Sequence, residues 1–383
     1  MHLPERRPRV PLLVQLLIAT AAGALTGVLA GPRAAFLGDA ALIFVDVLKL
    51  LATPLVFIAI VETLVTTRLP VRRALVLLPL SALNAVIAAA IAIGLAHALP
   101  LARFVDLPRL RALAPPASKA HHLPSVNLLW VIAAALVVGS ILRATSARST
   151  SQTLARAAAT ALRALMKMVG LIVRVVPLAV FGVMAKVVGG SGLAMFPLLA
   201  IFVLLVAVGM IVHVFVWYAI LLRFVAKRSV ARFFADAADP LATALGVGSS
   251  LATLPVTLRT LEGPMQVSSE SARLAAVVGT NLNHDGIVLY EAAAALFVAQ
   301  VYAIALPIAA QLKVVGLAIL AAVGIAGVPE AGLVTLSLVI GGVGLPLSAV
   351  PLLLPVDWML NRLRATTNVA SDLVVANVLD RFR

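Results

Sequence analysis

From Val187 to Leu222 the chain carries no Asp, Glu, Lys or Arg, and the same holds from Pro11 to Ala30 and from Ala74 to Ala102. A helix needs about 20 apolar residues to cross a bilayer, so each of these runs is long enough to do so. Of the 383 residues, 62% are hydrophobic and 12% charged. The charged share is about half that of a typical soluble domain. The Leu, Ala and Val runs do not alternate, which excludes the two-residue periodicity of a β-barrel wall. The fold class that follows is an all-α polytopic membrane protein.

The formal net charge is +15. Its basic residues cluster between apolar runs: Arg6, Arg7 and Arg9; Arg68, Arg72 and Arg73; Arg143, Arg148 and Arg156; Arg223, Lys227, Arg228 and Arg232. This is the positive-inside bias of membrane proteins, and it accounts for the charge without a nucleic-acid partner. Spans are expected near 11–30, 40–66, 74–100, 125–142, 160–185 and 190–222. Alternating them puts all four basic groups on one side, with N- and C-termini cytoplasmic. The 103–123 loop, with Arg103, Arg109, Arg111 and Lys119, fits that count badly. The N-terminus has the basic-then-apolar order of a signal peptide, but its run exceeds the usual ~7–15 residues and reads as the first span. The chain has no cysteine, so disulfides, thiolate catalysis and Cys-ligated metals are excluded.

Beyond about residue 233 the pattern changes. Val314 to Val356 carries a single charge, Glu330, and is interrupted by G-I-A-G-V-P-E-A-G at 324–332. G-V-G-S-S-L-A-T-L-P at 246–255 is a similar interruption. Gly and Pro break helices, and bare backbone is tolerated at membrane depth only against protein or a wet cavity. Two broken hydrophobic hairpins are therefore expected, and paired interruptions in a transporter point to a midplane substrate site. Half-helix N-termini suit an anion there, and freed carbonyls suit a cation.

Between the hairpins lies N-L-N-H-D-G-I-V-L-Y-E at 281–291, and after them N-R-L-R-A-T-T-N-V-A-S-D at 361–372. Asn361, Arg364, Asn368 and Asp372 follow spacings that share one helix face. An Arg in a span costs from ~2.5 kcal/mol upward and needs an anion. A substrate carboxylate is the preferred partner for Arg364. A pair with Asp372, about 12 Å along the helix, is the alternative. Asp285 and Asp372, with Asn283 and Asn368, supply the oxygen ligands that hard cations take. The competing reading of the same groups is a proton relay. An intramembrane hydrolase would need a nucleophile–base pair, and His284 and Asp285 are adjacent and point to different helix faces. The chain is not expected to be an enzyme.

Five segments, in order, carry a resemblance to a known family: L-L-A-T-P-L-V-F at 50–57, S-S-L-A-T-L-P-V-T at 249–257, N-H-D-G-I-V-L-Y-E at 283–291, A-G-V-P-E-A-G at 326–332 and the 361–372 segment. Together they resemble the dicarboxylate/amino acid:cation symporters, the glutamate transporter homologues. The resemblance implies eight transmembrane helices plus two re-entrant helical hairpins, in an inverted-repeat elevator-type transporter that forms a homotrimer. The implied division is 1–72 for scaffold helices one and two, 73–124 for the third span and outer loop, and 125–226 for spans four to six. It continues with 233–263 for hairpin one, 270–302 for span seven, 314–346 for hairpin two and 350–381 for span eight. It also implies that Arg364 grips a substrate carboxylate, with Asn368, Asn361, Ser249, Ser250, Gly327, Val328 and Ile287 around the substrate. On the cation side it implies Asn283, Asn368 and Asp372 in one sodium site, Asp285 with Asn283 in another, and Asn281 and His284 alongside. No cofactor is implied beyond sodium as coupling ion, with a proton as the alternative.

The chain departs from the family pattern where Asn361 replaces the acid that takes a substrate ammonium. Ile287, His284 and Leu251 replace a Thr, a Met and a Ser. Losing a charge-assisted bond costs about 1.5–3 kcal/mol, which favours a dicarboxylate without an amino group. Ser81 and Asn84 are the best candidates for third-span cation ligands. The expected function is sodium-coupled uptake of a C4-dicarboxylate-like anion across the inner membrane. The alternatives are an acidic amino acid symporter and a relaxed homologue with anion conductance.

Overall fold

Apolar runs without alternation should give helices, and every regular element among the described residues is helical. The structure, a computed structural model, describes residues 12–38, scattered positions between 47 and 65, and 71–100, 128–145, 148–279, 282–323 and 332–382. The first six helices are α1 (Leu12–Ala30), α2 (Val71–Ala98), α3 (Leu128–Thr145), α4 (Arg148–Val173), α5 (Val176–Ser191) and α6 (Met195–Val212). Two π-helical turns, His213–Trp217 and Leu221–Val225, carry α6 onward.

Two expected spans are divided. The 160–185 segment breaks between Val173 and Val176, where Pro177 opens α5. A proline lacks the N–H that a continuing helix would need but is tolerated in a first turn. The 190–222 segment breaks at Gly192, whose φ of 63° ends α5 before α6 begins at Met195.

The 233–263 region is a helix–turn–helix of α7 (Val230–Val247) and α8 (Ser250–Glu262). Gly248 stands between them at φ 71°, a left-handed conformation that glycine adopts without a Cβ clash. Next come the short α9 (Ser269–Arg273) with a π-turn at Leu274–Val278, and then α10 (Asp285–Tyr302). The 270–302 segment is thus two helices, with the N-H-D-G motif at the break. The remaining helices are α11 (Ile308–Val323), α12 (Gly332–Gly342) and α13 (Val350–Arg381).

Four described helices are long and apolar enough to cross a membrane: Val14–Gly38, Leu75–Ala98, Phe196–Val225 and Asp285–Tyr302. Helix α13 runs for 32 residues, roughly 48 Å at about 1.5 Å each. It touches α7, α8, α10 and α12, and everything from Thr367 to Leu379 on it is buried. That long, enclosed and polar-bearing helix is the axis on which the site is built.

Candidate functional site

The N-H-D-G motif sits where the chain passes from turn to helix. His284 precedes α10, and its carbonyl accepts from the backbone N–H of Ile287 (2.9 Å) and Val288 (3.0 Å). Asp285 opens the helix and Gly286 follows. A Cβ on Gly286 would lie 2.7 Å from the Arg364 carbonyl and 2.9 Å from its Cα, so only glycine lets α10 and α13 cross this closely. The crossing is locked by Asn368, whose Oδ1 accepts from the Gly286 N–H at 2.9 Å.

Three donors converge on one oxygen of Asp285. Oδ2 accepts from the Tyr218 hydroxyl at 2.6 Å and the Ser371 hydroxyl at 2.7 Å, and His213 Nε2 lies 3.4 Å away. Asp285, His213 and Ser371 are 0% exposed. Oδ1 of Asp285 has no hydrogen-bond partner among the described residues. His213 and Tyr218 bracket the first π-turn of the α6 extension, and their rings meet edge-on at 4.6 Å. A π-turn widens the helix locally and occurs often at functional sites. Here it aims both side chains at one carboxylate.

A second cluster lies alongside. Asn283 Nδ2 donates to Asp372 Oδ1 at 3.0 Å and to the Ala275 carbonyl at 3.3 Å. Its Oδ1 accepts from Ser81 on α2 at 2.6 Å. Asn84, one turn further along α2, accepts from the Trp217 indole at 2.8 Å. Of the expected cation ligands, Asn283 and Asp372 are therefore bonded directly, whereas Asp285 is held by Tyr218, Ser371 and His213 and Asn368 by the Gly286 N–H. Carboxylate, amide and turn carbonyl oxygens of this kind are what a hard monovalent or divalent cation takes. No cluster of three or more His, Cys, Asp or Glu occurs among the described residues.

The third element is Arg364, 1% exposed. Nη1 and Nη2 donate to Asp357 Oδ1 (2.8 Å) and Oδ2 (3.2 Å), a fork-to-fork pair within α13. Nη2 also donates to Asn361 Oδ1 at 3.3 Å, and the guanidinium carbon stands 4.2 Å from the centre of the Tyr290 ring. Gly332, the first residue of α12, lies so close that an added Cβ would meet Arg364 Nη1 at 2.6 Å. Asn361 Nδ2 reaches the carbonyl of Gly248 at 3.1 Å and so ties the α7–α8 turn to α13. One arginine thereby sits at the meeting point of α10, α13, the α7–α8 turn and the start of α12.

Not every expected residue joins these clusters. Ser249 caps α8, its hydroxyl accepting from the Ala252 N–H at 3.2 Å, and Ser250 begins that helix. Ile287 is half-buried and packs on the apolar core. Asn281, Gly327 and Val328 lie outside the described residues.

Sequence reasoning overlooked Asp357, Glu291, Tyr218, His213 and Ser371. Asp357 stands seven residues before Arg364, two helical turns away on the same face, so its periodicity was available. Glu291 was visible as the acid that closes the 283–291 motif. It is 0% exposed, and neither carboxylate oxygen has a hydrogen-bond partner among the described residues. Tyr218 and His213 lie inside an apolar run, and nothing in the sequence ties them to Asp285.

The profile of the sodium:dicarboxylate symporter family matches residues 12–382. Among curated proteins the chain is similar to excitatory amino acid transporter 1 of Bos taurus, 36% identical over 228 residues, or 57% of this chain and 41% of that one. Human excitatory amino acid transporter 3 is 36% identical over 220 residues, covering 57% and 42%. Human excitatory amino acid transporter 1 is 39% identical over 184 residues, covering 48% and 34%. The matched part spans less than half the length of these relatives, and their names describe transporters, not enzymes. With the family profile running almost from end to end, the chain belongs to the sodium:dicarboxylate symporter family.

Proposed function

We propose that the protein is a sodium-coupled symporter of an anionic dicarboxylate, working as a homotrimer in the inner membrane with both termini cytoplasmic. Each subunit then has eight spans and two re-entrant hairpins, α7–α8 and α11–α12, that move with α10 and α13. The observation that carries this reading is charge balance. The buried charged side chains among the described residues are four carboxyls, Asp285, Glu291, Asp357 and Asp372, and one guanidinium, Arg364. Arg364 is already paired with Asp357. A dianion entering this region meets an oriented guanidinium but no surplus of positive charge, and repulsion between like charges grows as water is excluded. Cations that arrive with the substrate, at the Asp285 and Asp372 clusters, supply the missing charge. Binding of anion and cation is then coupled in both directions, as linkage requires.

The substrate class follows from Asn361, an amide where the family has an acid. It offers an ammonium group a hydrogen bond but no countercharge. Succinate, fumarate or malate should outcompete aspartate, and Asn361→Asp should raise aspartate affinity by up to tenfold per ~1.4 kcal/mol recovered. The test is uptake into vesicles of purified protein under an imposed sodium gradient, with C4-dicarboxylates and acidic amino acids in competition. Aspartate binding more tightly than every simple dicarboxylate would establish the alternative, an acidic amino acid symporter, which the names of the relatives favour. A proton is the second candidate for the coupling ion, because Glu291 is a fully buried carboxyl among these helices and buried acids mark proton paths. Uptake driven by a pH gradient in sodium-free buffer would replace the sodium reading.

A further inference from the structure

Helix α4 carries an exposed basic face outside the clusters described above. Its 26 residues contain no Asp or Glu, and neither does any position from 107 to 235. Arg156, Arg163 and Lys167, together with Arg174 in the turn that follows, are spaced by seven, four and seven residues. At about 3.6 residues per turn they fall within about 40° of one another around the helix. All four are exposed, and no described carboxylate pairs with any of them. Within the stripe, Arg163 Nη2 donates to the Thr160 hydroxyl of its own helix at 2.9 Å. On roughly the opposite face, Leu162 and Leu165 pack against the apolar core. Apart from such contacts, α4 makes no extensive packing with another described helix.

Helix α4 is amphipathic, whereas α5, to which a two-residue turn joins it, is apolar. An amphipathic basic helix that leads into a span is built to lie in the headgroup layer, apolar face inward. Four like charges on one face, with no described acid paired to them, suit anions from outside the chain. Arginine is the side chain whose fork matches phosphate oxygens bidentately. We infer that the Arg156–Arg163–Lys167–Arg174 stripe binds the phosphate groups of anionic phospholipids in the leaflet on the side of the basic loops. The stripe anchors α4 along the surface and fixes the level at which α5 enters the bilayer. The occupant is a lipid headgroup, because the stripe runs along a helix that leads into a span, and its apolar back packs on the protein core and leaves the basic face turned outward.

The test uses the full chain in detergent, titrated with phosphatidylglycerol, with phosphatidylcholine and with inorganic phosphate, and read out by thermal melting. Phosphatidylglycerol should raise the melting temperature, whereas the other two should not. Each basic contact is worth about fivefold in lipid affinity. The R156Q/R163Q/K167Q variant should therefore need on the order of a hundredfold more phosphatidylglycerol for the same shift, with lipid-free melting unchanged. R163Q and K167Q alone, each expected to lose about fivefold, cover the case in which the triple variant fails to fold. Raising salt should weaken the effect in the wild type, since these contacts are electrostatic. An undiminished phosphatidylglycerol shift in the variants overturns the inference. So does an equal shift with inorganic phosphate, or a variant whose only change is in oligomeric state.

Discussion

Helices α1 and α10 are both apolar enough to cross a bilayer, yet 22% of the first span is buried inside the protein and 89% of the second. On α1, Leu17, Ile18, Leu25 and Leu29 face outward, and the hydroxyls of Thr20 and Thr26 turn back onto carbonyls of their own helix at 2.8 Å. On α10, Asp285, Tyr290 and Glu291 stay buried and are met by groups from other elements. The two helices lose water to different surroundings. A side chain in lipid finds no partner, so Thr20 and Thr26 of α1 turn their hydroxyls back onto their own helix. A side chain enclosed by protein can be met across tens of residues, so α10 holds charges. The inner helices are therefore specified by polar pairs, and the outer ones by shape. Helix α1 packs on α5 through Gly23 and Gly27, which leave no room for a side chain between the two backbones.

The largest effect should come from Arg364→Ala, which strikes the polar side of this comparison. It removes the guanidinium and leaves Asp357 buried without its partner, a loss of about 3–5 kcal/mol. Diacid uptake into vesicles should fall on the order of a hundredfold or more. The R364A/D357N double variant separates the two losses: its melting temperature should return toward the wild type while uptake stays lost. Near-normal diacid affinity in either variant would mean that Arg364 does not bind substrate.

Tyr218→Phe comes next. It keeps the ring but removes the 2.6 Å bond to Asp285 Oδ2, leaving Ser371 and His213 in place. A hydrogen bond to a charged group is worth about 1.5–3 kcal/mol. Melting in detergent should show that loss. If Y218F melts with the wild type, the hydroxyl does not hold the carboxylate.

Gly27→Ala probes the shape-specified side. Its Cβ would stand 2.7 Å from the Ala185 carbonyl, 2.8 Å from the Gly189 nitrogen and 2.9 Å from Val188 Cβ, all too close. Overpacking of this kind costs about 1–3 kcal/mol. The comparison predicts lower melting with the KM for substrate unchanged, because α1 packs chiefly on α5, away from the Arg364 and Asp285 bonds described here. A KM shift as large as the stability loss would show that the two regions are not separable.

The same division explains what could be read in the sequence. Apolar runs announce helices because length alone sets the crossing, and the Gly248 turn and the break before Asp285 carry local signals in Gly, Ser and Asn. The boundary at Pro177 was legible as well, but the surrounding apolar run masked it. What the sequence hides is pairing at a distance. Tyr218 and Ser371 lie 67 and 86 residues from Asp285, and only the crossing of α6, α10 and α13 brings them together. Asp357 was hidden differently: it lies one turn before Asn361, just ahead of the motif-bearing face of α13.

The smallest expected effect lies at the polar end of α13, where the enclosed helix reaches the basic side. Asp380 Oδ1 accepts from the Ser268 hydroxyl at 2.6 Å and the Ser268 N–H at 3.1 Å, and Arg228 stands 4.0 Å from Oδ2. Partial burial pushes the carboxyl up, but the Ser268 bonds, with Ser271 and Arg228, outweigh it and hold the group below its ordinary value of 3.8. A carboxylate depressed on folding adds stability that is present above its unfolded pKa and lost as pH falls through the folded one. Asp380→Asn should therefore melt lower than the wild type at neutral pH by about 0.5–1.5 kcal/mol of stability. The gap should narrow below pH ~4, as the wild-type carboxyl takes up its proton. Melting curves of both proteins from pH 7 down to pH ~3 read this directly, the lower limit lying below the ordinary carboxylate range. A gap that stays constant over that range would show that the Ser268 contact depends on shape, as at α1 and α5, and not on charge.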